Sequence, residues 1–217
     1  MAFLVLRFGV HPSSLGGYAT GLVGKDVIAA IAGRDHFICR FCGLPVPGHP
    51  QIFFLDGDRR HDQPDNLATA CLACALVQGG ARYTAAAEII PVWLPEMSQR
   101  SLNRLISSLH ELALGVSLPV NFSRAPAHDT AQARLILKLW SGLAERRATL
   151  KEMTGLRNVA DFVDACLAHD PYRGRCPAGL GHGLRFLHRG RYFADGQDIY
   201  PQVLACRVAK PAVVLAA

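Results

Sequence analysis

The sequence predicts an α+β protein in two parts, a small cysteine-anchored unit over residues 1–96 and a helical region over residues 97–217. Three observations predict it. Two Cys-x-x-Cys pairs, Cys39/Cys42 and Cys71/Cys74, lie among short apolar runs of strand length, and past residue 96 the apolar positions change to helical spacing. Half of the 217 residues are hydrophobic and 18% are charged, enough for a packed core and unlike an extended disordered chain. The length suits one medium domain or two small ones.

Taken in order, residues 4–8 have the make-up of a short strand and residues 9–24 form a loop rich in Gly, Ser and Pro. Residues 26–34 carry Val27, Ile28 and Ile31 at helical spacing. Residues 52–55 read as a strand that ends in the turn Asp56-Gly57-Asp58. Pro64 and Asp65 open a predicted helix over 66–78, which sets Cys71 and Cys74 about one turn apart on one face. After Gly79 and Gly80, residues 88–94 form a second predicted strand, interrupted by Pro91. Ser98 is the N-cap of a helix with Leu102, Leu105, Ile106, Leu109 and Leu112 on its apolar stripe and Gly115 as its stop. A longer helix over 130–153 places Ile136, Leu139, Trp140, Leu143 and Leu150 on one stripe, and a short one follows over 159–168. Residues 172–192 are rich in Gly and Arg, the tail past 199 is helical or loosely ordered, and there is no internal repeat.

The formal net charge of +6 favours an acidic partner without choosing between nucleic acid, a membrane surface and an acidic protein segment. No basic region precedes the first apolar run and no small-residue cleavage site follows it, so no signal peptide is expected. No apolar stretch reaches the roughly 18 residues that span a bilayer. The expectation is a soluble, cytoplasmic chain.

Seven cysteines, four of them in two Cys-x-x-Cys pairs, suit thiolates kept for a metal better than a disulfide framework. Each pair can set two sulfurs about 2.3 Å from one metal, and two pairs make a closed tetrahedral site. Cys39, Cys42, Cys71 and Cys74 are therefore predicted to bind one structural zinc ion. The 28 residues between Cys42 and Cys71 exceed ordinary zinc-ribbon spacing and leave room for a two-stranded insertion. Cys166, Cys176 and Cys206 have no activating neighbours in sequence and read as inert thiols.

The residues between the pairs are more specific. Leu55-Asp56-Gly57-Asp58 and Pro64-Asp65-Asn66-Leu67, enclosed by the two cysteine pairs, resemble the HNH nuclease family with its zinc knuckle, and imply a ββα metal-bound unit. The departures decide the chemistry. Phe53 and Phe54 stand where that family has a His-His pair, and Ala75 stands where it has its final histidine. An HNH nuclease needs imidazole to activate water and to help hold a cation at the scissile phosphate. Phenylalanine and alanine do neither, so no catalysis is expected, and Asn66 is left to brace the turn. The alternative, a nuclease whose chemistry has moved to His61 with Asp56, Asp58 or Asp62, is weighed against a polar surface turn, which the position of His61 favours.

A narrower resemblance is to the IcmJ/DotN family of the Dot/Icm type IVB secretion system. It rests on Leu6-Arg7-Phe8-Gly9-Val10, Arg34-Asp35 ahead of the first cysteine pair, Phe54-Leu55-Asp56-Gly57, Thr69-Ala70-Cys71-Leu72-Ala73-Cys74-Ala75 and Trp93-Leu94-Pro95-Glu96-Met97-Ser98. The resemblance implies a non-catalytic zinc-stabilised adaptor, held at the inner membrane through its complex, that binds the C-terminal segment of the coupling-protein ATPase and assists effector recruitment. The helical half and an exposed sheet edge are then the natural docking surfaces. The competing class, a nucleic-acid-binding module, draws on the positive charge and on Tyr172, Arg173, Arg175, Arg185, Phe186, Arg189, Arg191 and Tyr192. That run is weighed against a solvated face, and nucleic acid is not the expected partner.

Overall fold

The computed structural model of the chain describes residues 3, 4, 6, 8, 23–56, 58, 60–78, 85–122, 130–172 and 174–209. Most of the predicted 9–24 loop, Gly57, the Gly79-Gly80 break, Arg173 and the tail beyond Ala209 lie outside them. Of the strand predicted over 4–8, the described residues Leu4, Leu6 and Phe8 lie outside any strand.

The architecture is α+β. Helix α1 (Lys25–Arg34) precedes a hairpin of β1 (Gln51–Phe54) and β2 (Leu67–Ala70), joined through a 3-10 turn at Pro64–Asn66, and α2 (Leu72–Gln78) follows directly. A short α3 (Ala85–Glu88) leads into β3 (Ile89–Trp93). Three longer helices follow, α4 (Gln99–Gly115), α5 (Ala131–Thr154) and α6 (Val159–His169). After the one-turn α7 (Ala178–Gly181), β4 (Leu184–His188) returns to pair antiparallel with β3; β5 (Phe193–Ala194) and β6 (Gln197–Asp198) make a small hairpin before α8 (Tyr200–Ala209).

The predicted 66–78 helix is corrected: its first half is strand β2. A run this short and apolar fits either state, and long-range partners decide. Leu67 to Ala70 pair with β1, while on the other edge Thr69 donates its N–H to the Asp35 carboxylate at 2.8 Å and accepts from the Arg40 N–H at 2.9 Å. Cys71 therefore ends a strand, and only Cys74 sits on a helix.

Pro91 does not interrupt β3. It faces Phe186 on β4, and the ladder bonds on either side, Arg189 N–H to Glu88 and Leu94 N–H to Gly183, make Pro91–Phe186 a non-hydrogen-bonded pair. The N–H that proline lacks would have pointed away from β4.

On α4, Ser98 accepts from the Ser101 N–H as predicted, but Leu105 and Leu112 are exposed. The inward face instead carries Gln99, Leu102, Asn103, Ile106, Ser107, Leu109, His110 and Ala113. On α5, Ala133, Ile136, Trp140 and Leu150 are buried and Leu139 is exposed; Gly155, at φ +77°, closes the helix in the left-handed conformation.

Two apolar clusters result. The larger gathers α4, α5, α6 and the β3–β4 sheet around Ile106, Phe162, Phe186 and Leu187; the smaller surrounds the four cysteines with Phe41, Val46 and Phe53. Helix α2 is the seam, giving Leu72 and Leu76 to the first and Ala73, Cys74 and Ala75 to the second, which Cys71 joins from the residue just before the helix.

Candidate metal centre

The first cysteine pair sits on a tight turn after α1. His36 and Phe37 both have φ in the left-handed region, at +56° and +53°, and swing the chain from the helix end into an isolated bridge between Ile38 and Pro45. The Cys39 N–H donates to Leu44 and the Gly43 N–H to Cys39, so both cysteines point their sulfurs to one side. Gly43 has φ +77°, and a Cβ there would meet the Phe3 ring at 3.0 Å. The second pair straddles the β2–α2 junction, where the Cys74 N–H lies 3.5 Å from Cys71 Sγ.

The four sulfurs are buried and lie within 4.8 Å of one another. Cys42 and Cys71 Sγ are 3.6 Å apart, far beyond a disulfide bond, and all four cysteines are free. A tetrahedral thiolate centre with metal–sulfur bonds of about 2.3 Å has sulfurs roughly 3.8 Å apart. The cluster fits that geometry. Hydrogen bonds from Cys42, Cys71 and Cys74 draw the Cys39 thiol far down, whereas the Cys39 and Cys42 sulfurs hold Cys71 up, and burial, then Cys39, holds Cys74 up. Four thiolates in this pocket need a cation to offset their charge.

Buried polar residues brace the site. The Asp35 carboxylate is fully enclosed and accepts from Arg34, Arg40 and the Thr69 N–H, tying α1, the first cysteine turn and β2 together. Burial alone would raise its pKa, but Arg34, the Thr69 N–H and Arg40 together hold it below the ordinary aspartate value. From α4, Asn103 Nδ2 lies 3.2 Å from Cys74 Sγ, and Arg100 Nε donates to the Phe41 carbonyl at 2.7 Å. The bracing roles of Arg40, Thr69, Arg100 and Asn103 were not read from the sequence. The available signal was polarity at inward positions: Gln99, Asn103 and His110 fall on the same helical face as Leu102, Ile106 and Ala113.

The positions compared with the nuclease motif are structural in this chain. Phe53 is buried, with its ring edge-on to Phe41 at 5.0 Å; Ala75 is buried and Phe54 partly so. Asn66 accepts from the Asp56 N–H and donates to the Asp56 carboxylate and the His61 carbonyl. Asp56 and Asp58 each accept a backbone N–H two residues on, and His61 Nδ1 lies 2.8 Å from Asp56 Oδ2. Among the described residues, the four cysteines are the group of three or more ligating side chains whose atoms converge, and the His61 set does not.

The second half of the arginine-rich run turns inward. Arg185 and Tyr192 are buried, and Arg185 donates to the carbonyls of Met97, Gly181, His182 and Leu184, while Arg191 pairs with Asp198 at 3.0 Å. This corrects the solvated-face expectation for Arg185 and Tyr192 and removes those two from any nucleic-acid surface, whereas Tyr172 and Arg175 are exposed. Cys166 and Cys176, unrelated in the sequence reading, hydrogen-bond each other, and Cys206 is exposed. Among the described residues no helix is long and apolar enough to cross a membrane.

No family model matches the chain. It is similar to the type 4 apparatus protein DotN of Legionella pneumophila, 36% identical over 76 residues that make up 33% of this chain. The match spans about a third of that relative, 35% of its length. With the cysteine pairs and their flanking residues pointing the same way, this likeness supports membership of the chain in the IcmJ/DotN family.

Proposed function

We propose that the chain is a non-catalytic adaptor subunit of a type IVB secretion coupling-protein complex, built on a degenerate HNH-like unit that one structural zinc ion, held by Cys39, Cys42, Cys71 and Cys74, keeps in shape. The observation that carries this reading is what fills the positions of the missing imidazoles. Phe53 and Ala75 are core residues of the cysteine cluster, and Asn66, Asp56 and Asp58 are occupied in holding their own turn. The strand–strand–helix order of β1, β2 and α2 supports descent from the HNH scaffold, and the site is closed, with no ligand position left for substrate. The likeness to a type 4 apparatus protein supports the assignment to a Dot/Icm machine.

In this reading the partner is the C-terminal segment of the coupling ATPase, the chain is cytoplasmic and reaches the inner membrane only through its complex, and a boundary near residue 96 separates the zinc unit from the helical region. The test is affinity purification of the chain from its native cell. The expected outcome is recovery of a membrane-associated ATPase with the wild-type chain and its loss with Cys71→Ser. Metal-dependent DNA cleavage by the purified chain, abolished by His61→Ala, would overturn the adaptor reading in favour of a nuclease with displaced catalytic groups.

A further inference from the structure

The hydrogen bonds that reach Cys74 have a direction, and one unambiguous donor sets it. The Phe186 backbone N–H can only donate, and it does so to Gln99 Oε1 at 2.7 Å. That fixes the amide of Gln99, whose Nε2 donates to the Phe186 carbonyl at 2.8 Å and to Asn103 Oδ1 at 2.7 Å. Asn103 is fixed in its turn: with its oxygen engaged, its Nδ2 is the group facing Cys74 Sγ at 3.2 Å. Gln99 and Asn103 are only 5% and 2% exposed, so water offers no competing partners. A chain of donors that begins on β4 therefore ends at a sulfur obliged to accept. A metal-bound cysteine is a thiolate without a proton of its own, which is the acceptor this arrangement requires.

One turn earlier on α4, Arg100 reaches the Phe41 carbonyl between Cys39 and Cys42. The first turns of α4 thus grip both halves of the cysteine cluster. We propose that Asn103 holds Cys74 in its metal-binding orientation, and that the Cys74–Asn103–Gln99–Phe186 chain makes metal loading and the seating of α4 and β4 on the cysteine unit a single coupled event. The proposal rests on the metal-binding reading of the four cysteines and is independent of the secretion partner.

The test uses the full chain and the variant Asn103→Leu, close to asparagine in volume but unable to donate, with Ile136→Val as a core change that does not touch the chain of hydrogen bonds. Zinc affinity is read by chelator competition, and site geometry by the absorption of the cobalt-loaded protein. Asn103→Leu is expected to lose about 10- to 100-fold in zinc affinity, the usual effect of removing a group that orients a ligand, with the four-thiolate cobalt spectrum retained. Ile136→Val is expected to bind within about threefold of wild type, as its lost methylene lies away from the ligands. Equal affinity of Asn103→Leu and wild type overturns the proposal. A second measurement needs no variant: in wild type loaded with a spin-half cadmium isotope, the Asn103 side-chain amide proton should show coupling to the metal through the hydrogen bond to sulfur. Absence of that coupling in a loaded protein also overturns it. A wild-type chain that takes up neither zinc nor cobalt defeats the metal-centre reading itself, so the two failures are distinguishable.

Discussion

Asn66 commits its whole amide to the turn between β1 and β2, to the Asp56 backbone N–H, the Asp56 carboxylate and the His61 carbonyl. Its bracing role was legible in the sequence because nothing else of the H-N-H triplet survived around it. Asp35 was not legible as a brace, because its partners Arg40 and Thr69 come from two other elements. Its carboxylate is fully buried against Arg40 at 3.0 Å, with Arg34 as second cation. Removing one partner of such a group costs several kcal/mol when both are buried, but here each guanidinium keeps some solvent. Asp35→Asn should destabilise the chain by about 2 to 4 kcal/mol, measured by denaturant unfolding of the metal-loaded protein. Since the folded pKa lies below the ordinary 3.8, that difference should be complete above pH 3.8 and vanish as acid protonates Asp35 in wild type. A variant that is equally stable at neutral pH would remove Asp35 from the account.

Among the elements, the long helices were the most readable. The Ser98 cap and the start and stop of α5 and α6 follow from periodicity and capping residues that act locally. The short strands were not: β2 is set by Asp35 and Arg40, and β4 lies in a run whose glycines and arginines read as surface. Strand β4 also carries His188, fully buried against His110 of α4 and Tyr200 of α8, with Arg207 of α8 and Asp198 nearby. Its Nε2–H donates to the Arg191 carbonyl, a bond that either protonation state can make, and burial is what favours the neutral ring. Burial pushes its pKa down to about 4 from the ordinary 6.5. A depressed base binds its proton more readily in the unfolded chain, so its contribution is present above pH 6.5 and is lost as pH falls toward 4. Thermal unfolding should therefore show stability falling across that window, by on the order of 3 kcal/mol at its lower end. His188→Gln should flatten this slope, and an unchanged profile would show that the ring is not held neutral.

For the whole molecule, the cysteine pairs announced the centre, but not that α2 gives one face to the metal cluster and the other to the main core. No local pattern carries that division, because Leu72 and Leu76 look outward from a zinc unit considered alone. It predicts that chelation is not confined to the knuckle. A small thiolate site contributes on the order of 10 kcal/mol of folding free energy. Removing the metal should lower the melting temperature of the main core as well, seen as earlier loss of the near-ultraviolet signal of buried Trp140. Separate transitions, with the Trp140 signal unmoved by chelator, would mean that the clusters stand apart.

Pro91, described above as harmless to the two-stranded sheet it belongs to, leaves its mark on the opposite side. The middle of β3's outer edge has no N–H to offer a neighbouring chain, and the middle of β4's outer edge, at Phe186, is filled by Gln99. In the β1–β2 sheet, the outer edge of β2 is filled at Leu67 by Arg34 and at Thr69 by Asp35 and Arg40. Among the described residues this leaves the β1 edge, at Ile52 and Phe54, without such cover. Among the described residues, three of these four edges are guarded against open-ended stacking into fibres, and of the four the β1 edge is the one left open to a strand added by a partner tail.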